Sequence, residues 1–244
     1  MKHAFRAAVL LGAMAAAAPA GAVEFSVPQR AEIIAILRDA MKQDPSILRD
    51  AIGALQADEG AVERATARAA LDGMRDLLVS AADPVLGNPQ GDVTIVEFFD
   101  ARCGYCKRLE PVMDKLLTQD RGIRLVLKDL PILGPASVVA SKAMLAAQRQ
   151  NGYEKMREAV MKLPPDMPIA KIQAEAERLG LNWARLHKDM DDPEIQKRID
   201  DNLKLAQALN IQGTPAMVIG REIIPGAVGL EELRKAVAQA RKPG

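Results

Sequence analysis

Cys103 and Cys106 are the only cysteines in this chain of 244 residues, and they stand three apart in Cys103-Gly104-Tyr105-Cys106. Two thiols at this spacing can close a small, easily reduced disulfide, or hold a soft metal as thiolates. Neither can staple a distant loop, because there is no third cysteine. A structural zinc site needs four ligands, usually two pairs. Apart from His3, the one histidine is His187, far along the chain in a segment of helical pattern. An intrachain zinc site is not expected, and no metal ligand is assigned. Copper(I), which accepts few thiolates, stays open as the non-enzymatic alternative.

The elements around the pair favour thiol chemistry. Val93, Ile95, Val96, Phe98 and Phe99 make a near-continuous apolar run, the pattern of a strand buried on both faces. Lys107 to Gln119 reads as a helix, with Pro111 expected to kink it. Ile123 to Leu130 is a second strand, which suggests a βαβ unit. Cys103 then falls at a helix N-terminus, where unpaired N–H groups and the helix dipole favour a thiolate. Cys103 is the expected attacking residue, and a stabilised thiolate also leaves well. Cys106, one turn in, is the expected resolving thiol.

Downstream, Ala136 to Leu209 is helical throughout, broken at Asn151-Gly152, Leu163-Pro164-Pro165, Gly180 and Asp192-Pro193 into four or five helices. Ala216 to Ile219 and Glu222 to Ile224 read as a hairpin around Gly220-Arg221, before a closing helix near Leu230 to Ala240. Upstream, Asp83 to Pro89 reads as a linker. Residues 28–80 lack strand signals. Ile33, Ile34, Ile36, Leu37 and Met41 form one helical stripe, and Ile47, Leu48, Ala51, Ile52 and Leu55 a second, with Asp44-Pro45 as break and restart. Gln56 to Ala70 thins to alanine and charge. Residues 23–82 thus form a helical region, either folded back on the core or extended as an oligomerisation arm. The arm is favoured, because the thin stretch has few large side chains to fix it to a core.

The start of the chain reads as an export signal. Lys2 and Arg6 precede an apolar run from Ala7 to Ala18, too short to span a bilayer, and small-residue cleavage sites follow at Ala20 and Ala22. An exported protein released from a signal at residues 1–22 is expected, without membrane insertion. The 33 basic and 32 acidic residues become 31 and 32 once Lys2 and Arg6 are removed. Bulk charge therefore attracts neither nucleic acid nor anionic lipid. An exported chain whose only cysteines form one CxxC is suited to processing the disulfides of other proteins. Trp183 is expected to pack among the downstream helices, and the scattered methionines form no metal-binding run.

Val96-Glu97-Phe98-Phe99-Asp100 followed by Cys103-Gly104-Tyr105-Cys106-Lys107 resembles the active-site strand and helix of the thioredoxin superfamily. Gly213-Thr214-Pro215-Ala216 resembles its cis-proline loop, and the intervening helices resemble the helical insertion of the DsbA branch. The resemblance implies an α/β thioredoxin fold over residues 83–244, with the insertion at about 136–209, preceded by a helical arm. It implies a redox-active Cys103–Cys106 disulfide and no other cofactor. Pro215 would be cis, with Thr214 beside the cysteines; Gly104, Tyr105, Thr214 and Pro215 would meet an extended substrate. Glu97 would be a buried acid beneath the pair, relaying a proton for Cys106, with Lys128 as a candidate partner. Asp44-Pro45-Ser46-Ile47-Leu48, Leu86-Gly87-Asn88-Pro89 and Ile224-Pro225-Gly226-Ala227 resemble the ScsC/Com1-like group with an N-terminal helical extension. That likeness implies a periplasmic location, a homo-oligomer through residues 28–80, exported cysteine-containing proteins as substrates, and a membrane redox partner. Gly104-Tyr105 departs from the Pro-His dipeptide of strongly oxidising DsbA proteins. The direction expected is isomerisation, with a monomeric oxidase as the alternative.

Overall fold

The computed structural model describes residues 25–242, leaving out the side chains of residues 63 and 64. The expected signal at 1–22 lies outside the described residues. The chain divides between Ala57 and Asp58 into two compact units, so the boundary expected after residue 82 falls earlier, inside a helix.

The described part of the first unit is helical. α1 (Val27–Gln43) starts at Ser26, whose amide donates to the Gln29 side chain at 2.9 Å. It ends where the Asp44 amide donates to the Ala40 carbonyl. The Asp44 carboxylate then accepts from the Ser46 amide at 3.0 Å and opens α2 (Ser46–Gly73), which runs across the division. No residue of α1 is buried. Ile33, Ile34, Ile36, Leu37, Met41, Ile47, Leu48, Ile52 and Leu55 are all exposed.

The second unit continues with α3 (Arg75–Leu78), β1 (Val85–Gly87), β2 (Val93–Phe99), α4 (Gly104–Gln119) and β3 (Ile123–Asp129). Five insertion helices follow: α5 (Pro135–Gln148), α6 (Tyr153–Lys162), α7 (Ile169–Arg178), α8 (Trp183–Met190) and α9 (Pro193–Ala208). β4 (Ala216–Ile219), β5 (Glu222–Pro225) and α10 (Leu230–Ala240) close the chain. The sheet order is β1-β3-β2-β4-β5, with β2 and β3 parallel and every other pair antiparallel. The apolar β2 and β3 are central because neither has a wet face. β1 was not expected; the segment read as a linker carries a three-residue edge strand.

Strand alternation separates two cores. Ile95, Phe99, Leu125 and Leu127 face α4, α10 and most of the insertion, including the half-buried Trp183. Val96, Phe98, Val126 and Val218 face the other way, toward Leu71 and Leu78 from the end of α2 and from α3, and Leu205 of α9. Residues 70–79, expected to be stalk, therefore supply part of the cover of the sheet.

Candidate active site

β2 ends at Phe99, and the chain turns through Asp100 to Arg102 before α4 begins. The Asp100 carboxylate accepts from the amides of Arg102 (2.8 Å) and Leu133 (3.0 Å), and its carbonyl accepts from the Cys103 amide (2.9 Å). This turn delivers Cys103 to the N-cap of α4 in an extended conformation. Its sulfur thus sits where the helix has unpaired amides. Both cysteines are free thiols; Cys103 is 7% exposed and Cys106 fully buried.

The two sulfurs have opposite electrostatics. At Cys103, burial works against ionisation, but it is outweighed. The polar groups of Thr214, Cys106 and the Tyr105 amide favour the thiolate and hold its pKa below the ordinary thiol value. As a thiol, Cys103 Sγ also donates to the Thr214 carbonyl at 3.2 Å. At Cys106, burial pushes the pKa far up, and the nearby Cys103 and Glu97 add to it as like charges.

Thr214 belongs to the loop before β4, and the Thr214–Pro215 peptide is cis. The loop brings together residues more than a hundred positions apart in sequence. Beside it lies a cavity of about 650 Å³, lined by Tyr105, Ile211, Thr214, Pro215, Ile223 and Pro225 among others. Tyr105 is 60% exposed, with the Arg108 guanidinium 4.0 Å from its ring centre. A side chain at Gly104 would meet only the end of Arg108 at 3.8 Å, so space alone does not require glycine there. All seven residues singled out from the sequence, Glu97, Cys103, Gly104, Tyr105, Cys106, Thr214 and Pro215, fall in this one region.

Glu97 is 1% exposed, and one carboxylate oxygen has no hydrogen-bond partner. The expected pairing with Lys128 is absent. Glu97 lies opposite Leu127 and Met217, whereas Lys128 lies opposite Phe98, so the two side chains leave the sheet on opposite faces. Lys128 instead pairs with Asp83 at 2.8 Å. The cation on the Glu97 side is Arg157 of α6, which sequence reasoning missed. Its guanidinium lies 4.9 Å from the ring centre of Phe99, the next residue on the Glu97 face of β2, and bonds Glu110 of α4 at 2.9 Å. Burial raises the Glu97 pKa, Arg157 opposes that rise, and Glu110 and Asp114 add to it. A signal for Arg157 did exist. Tyr153, Met156, Arg157, Val160 and Met161 follow core helical spacing, and the arginine occupies a core position. Nearby, Tyr153 donates to the buried Asp129 carboxylate at 2.9 Å, and burial lifts the Asp129 pKa to about 6.

The model of DSBA-like thioredoxin domains matches residues 94–238, more than half of the chain. The chain belongs to the DSBA-like thioredoxin-domain family. This family comprises thioredoxin-fold thiol–disulfide oxidoreductases. A thioredoxin-like oxidoreductase from Silicibacter pomeroyi DSS-3 is 40% identical, with a TM-score of 0.67, over 70% of this chain and 99% of that one. ScsC of Proteus mirabilis, in a transitional conformation, is 31% identical with a TM-score of 0.64, over 88% of this chain and 96% of that one. The Na(+)/H(+) antiporter NhaA 1 of Salinispora arenicola is 31% identical over 174 residues, 69% of this chain. This chain spans only 27% of that antiporter's length. No helix among the described residues is long and apolar enough to cross a membrane.

Proposed function

We propose that this DSBA-like chain is a periplasmic protein that exchanges disulfides with exported cysteine-containing proteins. The carrying observation is the contrast between its sulfurs: one at a helix N-terminus with a lowered pKa, one buried with a raised pKa. The Cys103 thiolate attacks one sulfur of a substrate disulfide. A Cys103–substrate bond forms as the substrate S–S bond breaks, and the other substrate sulfur leaves as a thiolate. Cys106 then gives up its proton and attacks Cys103. The products are the Cys103–Cys106 disulfide and a substrate dithiol, with two electrons passed to the substrate. The reverse sequence oxidises a substrate.

Glu97 receives the Cys106 proton. A Cys106 thiolate beside a Glu97 carboxylate is disfavoured by like charge, so ionisation is easiest when the proton passes between them and one charge remains. Pro215 and Thr214, with Gly104 and Tyr105, position an extended substrate segment.

The direction is isomerisation by a homo-oligomer joined through residues 28–80: a second substrate thiolate attacks the mixed disulfide, a new substrate S–S bond forms as the Cys103–substrate bond breaks, and Cys103 leaves as a thiolate with no net transfer of electrons. The exposed apolar side chains of α1 and early α2 support this reading, since isolated helices leave such stripes unburied. Several CxxC sites around one client raise the effective concentration for a second exchange. A membrane redox partner returns the pair to its working state. Reactivation of scrambled ribonuclease, beside a copper(I) titration, tests the reading. Activity lost in Cys103→Ser is expected. Tight copper(I) binding with no exchange in the intact protein would make this a metal-binding protein instead.

A further inference from the structure

Around Cys103 the charges are unevenly placed. Arg102, Lys107 and Arg108 all lie within five residues of it. Arg102 donates to the carbonyls of Leu133 and Pro165, and Lys107 Nζ donates to the Leu163 carbonyl at 2.9 Å. These bonds fix the two cations on neighbouring loops without cancelling their charge, because a carbonyl is neutral. Arg108, exposed, lies over the Tyr105 ring. Among the described residues, none of the three forms a salt bridge: every recorded ion pair involves other cations.

Opposing charge is scarce here. The loops 130–135, 163–168, 210–216 and 225–229 hold one acid, the exposed Asp166, and no base. Asp100 is buried, and its carboxylate accepts amides. The side of the mouth formed by Ile211, Pro215, Ile223 and Pro225 is uncharged. The whole chain has a formal charge of only +1, so this local excess does not reflect composition.

We propose that the mouth selects protein segments carrying carboxylates beside the reactive cysteine. The uncharged side takes the apolar part of the segment. Arg102, Lys107 and Arg108 attract the acidic part and speed encounter with Cys103. The proposal rests on the thiol-exchange reading and adds the class of substrate to it.

The test uses the reduced full chain and two peptides, each closed by an internal disulfide. They are identical except for two Glu or two Lys flanking the cysteines. Each turnover moves two electrons from the Cys103/Cys106 dithiol to the peptide, leaving a protein disulfide and a peptide dithiol. Each rate is divided by that with dithiothreitol, which removes the intrinsic difference between peptides. The Glu peptide is expected to react about tenfold faster at low salt, with the ratio shrinking toward unity at high salt as screening sets in. In Lys107→Gln/Arg108→Gln the ratio narrows. Because the ratio is taken within one variant, a changed Cys103 pKa does not affect it. Equal rates at low salt would overturn the acidic-substrate proposal and leave exchange standing. Failure to reduce either peptide would overturn the exchange reading, and this proposal with it.

Discussion

Arg157→Met should cost far more than a typical surface arginine. The methionine roughly matches the aliphatic stem but removes the charge. Glu97 is then left buried with no nearby cation, and Glu110 loses its 2.9 Å partner. Glu110 is partly exposed and can recover water; Glu97 cannot. Removing one member of a buried pair costs about 3–5 kcal/mol; Arg157 bonds Glu110 and acts on Glu97 only through its charge, so the loss should fall at the lower end of that range. The contact with Phe99 adds about 1 kcal/mol. The loss must depend on pH. Without Arg157, the folded-state pKa of Glu97 rises further above its unfolded value. The folded state then holds a proton that the unfolded state releases, so stability falls as pH climbs. The gap between wild type and variant should be smallest near pH ~4.3, where mainly the Phe99 contact is lost, and widen above the raised folded-state pKa of Glu97. Adding Glu97→Gln should return at least ~1 kcal/mol, since no stranded charge remains. Urea unfolding at pH 5 and pH 8 measures all of this. A gap below ~1 kcal/mol, or one equal at the two pH values, would refute the assignment of Arg157 as the counter-ion of Glu97.

Asp129, with its pKa lifted from 3.8 to about 6, binds a proton in the folded state that the unfolded chain has released. Its contribution should lower stability by about 3 kcal/mol as pH rises through that window, and Asp129→Asn should remove that slope in urea titrations at stepped pH. Leu71→Ala should destabilise by about 2–5 kcal/mol, because the side chain is core rather than stalk; a loss under ~1 kcal/mol would detach the end of α2 from the sheet. Ile34→Glu with Leu48→Glu should yield monomers in sedimentation, retaining thiol exchange while losing most isomerase activity. Unchanged mass would remove the proposed role of residues 28–80 in assembly.

The cysteine pair was legible because strand, turn and helix are contiguous, and Thr214-Pro215 because it stands directly before an apolar strand. What escaped depends on contacts that spacing cannot specify. Lys128 pairs with Asp83 and not with Glu97 because the facing of two strands depends on register, which a shift of one residue reverses. β1 lies in a stretch rich in Pro, Gly and Asn, and its pairing with β3 spans the whole of β2 and α4. Its last residue, Gly87, has φ of 72°, and a Cβ there would come within 2.7 Å of the Ile123 carbonyl. A turn-like residue was thus required at a strand end. Alanine dominates the close of α2 and gives it the pattern of a stalk, yet the single large Leu71 holds it to the sheet. Arg157 sat visibly in a core stripe, but only the folded arrangement places Glu110 and Phe99 beside it.

Thiol exchange by this chain depends on the asymmetry of its two sulfurs. The direct measurement is alkylation of the reduced protein across a pH series, with the modified cysteine identified by mass. Cys103 should react first, with an apparent pKa below the ordinary thiol value, while Cys106 stays unmodified well above it. First reaction at Cys106, or equal titration of both thiols at the ordinary value, would contradict the assignment of Cys103 as nucleophile and Cys106 as resolving thiol.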